Sequence, residues 1–463
     1  MQINMPRLII AGVSSGVGKT TLVSGMLAAF KARGQHVQSF KVGPDYIDPG
    51  FHQLASGRPS HNLDTWLVAP QDLNQVFWEA AKGADIAIVE GVMGLYDGGR
   101  EGVSSTAAIA KWLDAPVVLV VNSRSMGESA AAVVLGFRAY DPSVKLVGVI
   151  LNQVGSDTHE AILRQAMASI NMPVYGCVHR NPAISLPERH LGLTPTTEVC
   201  ASAARVAEMR KLAEKYLDLD GLAQLAKNAP SMRLPDDETV GDTAPEVVVA
   251  VADDEAFSFY YPSSLAFLEH TGARLVRFSP LRDEALPDCD ALLLGGGFPE
   301  MFVQQLADNT KLKDSLRRQI AAGLPVYAEC GGFMYLTETL QDFDGKIYPM
   351  AGVIPGHSAM QKKLQTVGYV QATLQQESVI GAAGTVLRGH EFHFSTFEPN
   401  EAVDFPWGFT FERNRDGSTY LGGYCRDNVL ASYLHMNFLG NRAAAQAFLN
   451  AALNWRRKQC KDD

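Results

Sequence analysis

Nine residues near the N-terminus, Gly12-Val13-Ser14-Ser15-Gly16-Val17-Gly18-Lys19-Thr20, join small residues to one ammonium and end on a hydroxyl. Such a stretch can cradle phosphates. Its glycines let backbone N–H groups face the anion, Lys19 supplies a point charge and Thr20 can ligate Mg2+. The usual spacing has its first glycine where this chain has Val13, with Gly12 one residue early. Gly16, Gly18, Lys19, Thr20 and Thr21 are the expected nucleotide-binding residues.

Nucleotide chemistry with a metal also needs carboxylates. Lys41-Val42-Gly43-Pro44-Asp45-Tyr46-Ile47-Asp48-Pro49 offers Asp45 and Asp48, and Glu90-Gly91-Val92-Met93-Gly94-Leu95-Tyr96-Asp97-Gly98 offers Glu90 and Asp97. Any one of these acids alone reads as a turn cap, since Asp is common in turns. Together, just past two strand ends and near a phosphate loop, they read as a site, because ligands of open α/β sheets bind there. Glu90 ends an apolar run, which should set its carboxylate beside Gly18-Lys19-Thr20.

A thiol stands out in the second half. Residues 324–332 read as a strand that stops at Cys330 and turns into a helix, with the small residues Ala328 and Gly332 two positions on either side. A nucleophile elbow has this shape. The helix N-terminus should lower the thiol pKa, and the Gly331 N–H is an oxyanion donor. Gly295-Gly296-Gly297 after another strand is a second donor loop, with Gly296 and Gly297 as candidates. The remaining five of six cysteines read as small buried residues. The base could be His390, His393 or His435. Position at a strand end favours His435, whereas His393 reads as structural.

These groups require elements to hold them. Short β-branched runs at 8–11, 37–40, 86–89, 117–121 and 146–151 alternate with helical stretches such as 21–32 and 104–113. That rhythm predicts a parallel sheet with helices on both faces. One or two amphipathic helices follow at 204–227, and residues 228–246 have the Pro, Gly and acid content of a linker. The rhythm then restarts at 247–252, 274–278, 291–294 and 325–328, and 366–435 is richer in strands. The expected fold class is α/β in two domains, 1–235 and 246–463.

Composition narrows the classes. A length of 463 residues allows two to three domains, at roughly 150 each. With 46% hydrophobic and 19% charged residues the chain can bury large cores. A net charge of -10 argues against a nucleic-acid surface. The cysteines form no C-x-x-C pair, so neither a zinc ribbon nor a disulfide framework is expected, and a reducing compartment fits. The apolar run 115–121 is far shorter than the about 18 residues of a membrane span. Residues 5–13 read as a first strand rather than a signal peptide, which makes a cytoplasmic protein off the membrane the expectation.

Taken together, the motifs resemble those of the cobyrinic acid a,c-diamide synthases, over essentially the whole chain. The resemblance lies in the loop ending G-x-G-K-T-T, KVGPDYIDP at 41–49, NLDTW at 62–66, VEGVMGLYDG at 89–98 and LPERHLGL at 186–193. It continues with GGGFPE at 295–300, AECGGFMYL at 328–336, GHEFHFS at 389–395 and SYLHMNF at 432–438. The family implies a dethiobiotin-synthetase-like P-loop domain, followed by a class I glutamine amidotransferase domain of flavodoxin-like α/β type. It implies ATP-dependent amidation of the a and c carboxylates of cobyrinate with glutamine or free ammonia as nitrogen source, through acyl phosphates, in cobalamin biosynthesis. Cys330 would be the glutaminase nucleophile and His435 the residue that deprotonates it. Thr20 and Glu90 would hold Mg2+, with Asp45, Asp48 and Asp97 positioning the substrate carboxylate or the metal. Related amidotransferases carry an acid two residues after the histidine, where this chain has Asn437, so what orients His435 is left open. ATP, glutamine and a tetrapyrrole are the implied partners, with a homodimer open. Nickel-sirohydrochlorin a,c-diamide synthase shares nearly all these motifs and is the alternative. Cobyric acid synthase is disfavoured by the wording at 41–49 and 89–98, and a partitioning-type switch ATPase by the AECGG elbow.

Overall fold

Continuous runs of buried apolar residues shape the first sheet. Its strands are β2 Arg7–Gly12, β3 Val37–Val42, β4 His61–Leu63, β5 Ile86–Glu90, β6 Val117–Asn122, β7 Leu146–Val154 and β8 Val174–His179. They pair in parallel in the order β4-β3-β5-β2-β6-β7-β8. Every residue of β2, β3 and β5 is buried, which requires cover on both faces of the sheet. The helices are α1 Lys19–Ala32, α2 Ile47–Ser56, α3 Pro70–Ala81, α4 Thr106–Trp112, α5 Ser129–Tyr140, α6 Asp157–Ser169, α7 Thr196–Tyr216 and α8 Leu219–Lys227. On one face Leu8, Ile10, Ile88 and Val118 pack with Met26, Leu27 and Phe30 of α1 and with Leu212 and Ala213 of α7. The order β3-β5-β2 sets Lys41 opposite Glu90, and Glu90 opposite Ile10, just before the phosphate loop.

The computed structural model describes residues 2–180, 196–233, 246–400 and 404–462, and the motif at 186–193 lies outside them. The chain divides into two units, Met1–Thr65 with Ala69–Leu191 and Thr196–Asp237, and Trp66–Val68 with Gly192–Pro195 and Glu238–Asp463. The stretch 228–246, expected as linker throughout, needs a correction. Its residues Met232–Arg233 form β9, antiparallel to β1 Gln2–Ile3, because the Met232 side chain finds a buried seat beside the N-terminal strand.

In the second unit β10 Val247–Ala252, β12 Ala273–Phe278, β13 Ala291–Leu294, β15 Val326–Glu329 and β24 Val429–Ser432 are parallel, in the order β12-β10-β13-β15-β24. That is the doubly wound 2-1-3-4-5 order, with α9 Pro262–His270, α10 Val303–Asp308, α11 Thr310–Ala322, α12 Gly331–Leu336 and α13 Arg442–Asp462 as helices. The sheet continues antiparallel through β23 Thr419–Arg426, β22 Trp407–Arg413, β19 Thr366–Leu374, β20 Val386–His393 and β25 His435–Met436. Five residues join β22 to β23 and eleven join β19 to β20, and these antiparallel neighbours need no crossover helix. A ribbon of β11 Phe257–Phe259 with β14 Gly296–Gly297, and a sheet of β16 Thr337–Gln341, β17 Ile347–Pro349, β18 Ile354–Met360 and β21 Ser395–Pro399, complete this unit. Among the described residues no helix is long and apolar enough to cross a membrane.

Candidate active sites

The phosphate loop bridges β2 and α1. Gly16 and Gly18 have φ of 73° and 92°, the left-handed region that glycine enters at little cost. A Cβ on Gly18 would stand 2.5 Å from Asn152 Nδ2, which itself donates to Val17 O at 2.8 Å. The early glycine has a steric cause, since a Cβ on Gly12 would lie 2.9 Å from Lys19 Nζ and 2.8 Å from Val17 Cγ2. Val13 instead packs on the core and donates its N–H to Val120 O at 3.1 Å. Lys19 Nζ donates to Ser14 O at 3.2 Å and to Met93 O at 2.5 Å. Burial pulls this ammonium down to about 8, against the attraction of Glu90. Thr20 and Thr21 follow on the first turn of α1.

Glu90 is the hub of the acidic cluster. Its Oε1 accepts from Thr20 Oγ1 at 2.8 Å and from Lys41 Nζ at 2.9 Å, and its Oε2 lies 2.6 Å from His52 Nε2. Lys41 Nζ also donates to Asp48 Oδ2 at 2.5 Å and stands 3.9 Å from Asp45 Oδ2. Burial by itself would lower Lys41 and raise Glu90. The attraction of Glu90 and Asp48 holds Lys41 above its ordinary range, and Lys41 with His52 holds Glu90 far below the usual carboxylate range. Asp48 goes the other way, pushed well up by burial and by its neighbours Asp45 and Glu90. Asp45 Oδ1 accepts the N–H of Ile47 at 2.7 Å, which starts α2, while Asn62 Nδ2 pins this loop through Gly43 O and Asp45 O. Asp97 Oδ2 accepts the Gly94 N–H at 3.0 Å, and its charge also acts on Lys19.

Thr20, Lys19, Lys41, Asp45, Asp48, His52 and Glu90 are thus one cluster, with Asp97 at its margin. Two members carried a signal that the motif reading did not use. Lys41 is a charged residue inside a fully buried strand. His52 lies four residues after Asp48 on α2, one helical turn along the same face. Among the described residues no three His, Cys, Asp or Glu groups form a protein-only metal cage. Mg2+ does not require one, as it binds through one or two carboxylates, water and substrate phosphates. A hydroxyl at Thr20 with carboxylates at Glu90 and Asp48 is a fitting donor set for it.

The second unit builds its centre around Cys330. The residue sits between β15 and α12 at φ 46°, a strained left-handed turn, and its N–H donates to Ser432 O at 2.7 Å. Glycines make the turn possible. A Cβ on Gly332 would lie 2.5 Å from Leu294 O, and one on Gly331 would lie 3.1 Å from the Gly297 N. A Cβ on Gly296 would lie 2.5 Å from Cε1 of His435, so the imidazole rests directly on that backbone. Cys330, Gly331, Gly296, Gly297 and His435 therefore come together. Tyr260, unremarked in the sequence, fastens the glycine loop, since its Oη accepts the Gly295 N–H at 2.7 Å and donates to Ala252 O at 2.5 Å.

One expectation is corrected here. The helix terminus does not lower the Cys330 thiol. Burial first, then the nearby Glu300, Glu329 and Glu391 carboxyls, push it well above its ordinary value despite the Gly331 N–H. A thiol pushed up in this way needs a base to become a nucleophile. The ring of His435 stacks on that of His390 with centroids 5.0 Å apart, while His390 Nε2 meets Tyr261 Oη at 2.7 Å. Burial holds His390 well below its ordinary range. His393 stacks on Tyr433 at 3.8 Å and bonds Ser395 O through Nδ1, as a structural histidine would. Asn437 donates to Ser263 Oγ at 3.1 Å and accepts from the Leu439 N–H at 2.9 Å.

Comparison with known proteins gives the same division. Residues 8–193 match the profile of the CobQ/CobB/MinD/ParA nucleotide binding domain, and residues 248–443 that of the CobB/CobQ-like glutamine amidotransferase domain. The cobyrinate a,c-diamide synthase of Dehalococcoides mccartyi (strain CBDB1) is 45% identical over 465 residues, covering 96% of this chain and 98% of that protein. The protein of the same name from Salmonella typhimurium is 43% identical, with 96% and 97% covered. That of Listeria innocua is 41% identical, with 96% and 99% covered.

Proposed function

Because the chain belongs to the cobyrinate a,c-diamide synthase family, we propose that it amidates the a- and c-side-chain carboxylates of cobyrinate with ATP and glutamine. It is a carbon–nitrogen ligase with a nucleotide-binding domain and a glutamine amidotransferase domain. The observation that carries the reading is the near-complete coverage of relatives of this one name, 96% of the chain and 98% of the relative in the first case.

A carboxylate resists ammonia because it is a poor electrophile with a poor leaving group. In the first unit, a substrate carboxylate oxygen attacks the γ-phosphorus of ATP, the bond to ADP breaks and an acyl phosphate forms. The loop N–H groups and Lys19 hold the phosphates, while Lys41, bound to Glu90 and Asp48, holds those two carboxylates in place beside them. Thr20 and Glu90, with Asp48 beside them, would hold Mg2+, which when bound neutralises phosphate charge. Asp45 and Asp97 keep the two loops in shape around the reacting groups. Ammonia then attacks the acyl carbon and phosphate leaves.

The ammonia comes from the second unit. His435 takes the Cys330 proton, the thiolate attacks the glutamine amide carbon, and the oxyanion meets the N–H groups of Gly331 and of Gly296 or Gly297. The tetrahedral species collapses, the imidazolium returns the proton to the leaving nitrogen, and ammonia departs. Water hydrolyses the γ-glutamyl thioester to glutamate and the free thiol. Such a thiol must stay reduced, which accords with a cytoplasmic setting.

Cys330→Ala tests the scheme. Glutamine-dependent amidation should vanish, while amidation with added ammonium salt proceeds at the unmodified rate. Simultaneous loss of both, with the variant still folded, would overturn the two-centre reading.

A further inference from the structure

We infer that Glu329 is the acid that positions His435, in place of the acid which Asn437 does not supply; the inference rests on the glutaminase reading above. The carboxylate stands at the end of β15, immediately before Cys330. Its Oε1 accepts from Tyr327 Oη at 2.9 Å and from the Met436 N–H at 3.2 Å. Those two donors fix the carboxylate plane and tie it to the residue next to His435. Its Oε2 is thereby turned to Nδ1 of His435, 3.7 Å away, in a pair with both side chains almost fully buried. An imidazole whose Nδ1 faces a carboxylate keeps its proton there and leaves Nε2 to receive the Cys330 proton. Contacts of this kind are often long before substrate binds and tighten in the complex.

The parallel sheet makes the arrangement possible. Glu329 is in register with Ser432 of β24, and the chain beyond β24 turns back so that His435 pairs with His390 of β20. The histidine thus lies between Glu329 on one strand and the ring of His390 on another, with Gly296 beneath it. His393 also acts on it, Tyr261 bonds His390 beside it, and Glu300 and Glu391 lie near Cys330. Among these Glu329 is the carboxylate paired with Nδ1. Asn437 meanwhile spends its amide on Ser263 and Leu439.

The test compares Glu329→Gln, Glu329→Asp and Cys330→Ala in the full chain. For Glu329→Gln, kcat of glutamine hydrolysis should fall about 100-fold or more, with KM for glutamine little changed and ammonia-dependent amidation intact. Glu329→Asp should recover part of the lost kcat. A second readout is the rate at which iodoacetamide alkylates Cys330, which should slow in Glu329→Gln because the base is misdirected. If Glu329 acted only as a negative charge beside the thiol, its removal would speed alkylation, and that result overturns the inference. So do an unchanged kcat, or loss of ammonia-dependent amidation together with the glutaminase. Retention of glutamine-dependent activity in Cys330→Ala would instead sink the glutaminase reading itself.

Discussion

Lys19 has two demands on its proton that pull in opposite directions. A buried ammonium without its anion is penalised, and burial lowers it from 10.5 to about 8. Between those values the folded chain binds fewer protons at this site than the unfolded one, so here the site adds stability as pH rises through about 8. Phosphate reverses the balance, because it favours the charged form. Affinity for MgATP should therefore weaken as pH rises through about 8, with net proton uptake on binding above that value and little near neutrality. Titration calorimetry in buffers of different ionisation enthalpy measures both, and affinity flat across this range would contradict the argument. Residue identity was legible wherever chemistry and glycine spacing coincide, as at Lys19, Thr20, Glu90 and Cys330. Lys41, His52 and Glu329 were not, since their roles depend on neighbours brought in by register: Lys41 opposite Glu90, and Glu329 beside the turn that returns His435.

Helix and strand contacts decide how firmly these residues are held. Helix α1, which begins with Lys19 and Thr20, lies close to α7 at Gly25, where a Cβ would collide with Met209 O and come within 3.1 Å of Ala213 Cβ. Gly25→Val should lower the stability of the first unit by about 1–3 kcal/mol through overpacking, read as a shifted urea midpoint. A midpoint equal to that of the parent would show that α7 yields without cost. Buried strands were predictable from their apolar runs, and β10 and β13 lie where the β-branched pattern put them. The two-residue pair of β1 with β9 carried no such signal, because so short a ladder has no period to read. Helix α2 was obscured by Asp48 and Pro49 in its first turn, which suit a loop as well as a helix start.

At the scale of the molecule, the chain carries a nucleotide-binding domain and a glutamine amidotransferase domain. Each unit closes its own hydrophobic core. Incubation with ATP, Mg2+, glutamine and cobalt, nickel or metal-free tetrapyrroles should yield two successive amide additions on cobyrinate-type acceptors, counted by mass. Amidation confined to a nickel substrate would move the chain to the sister activity. The net charge of -10 gives a polycarboxylate no general attraction, so any attraction must come from local cations. The sequence by itself determined the fold class, the phosphate loop, the elbow at Cys330 and the acids near the strand ends, because these follow from local spacing and short-range sterics. Only the tertiary structure decided the burial that pushes the Cys330 thiol up, the contacts that bind Glu90 to Lys41 and His52, and the carboxylate that faces His435. Each of those depends on burial and on strands distant in sequence lying side by side, and neither is encoded in any single stretch of residues.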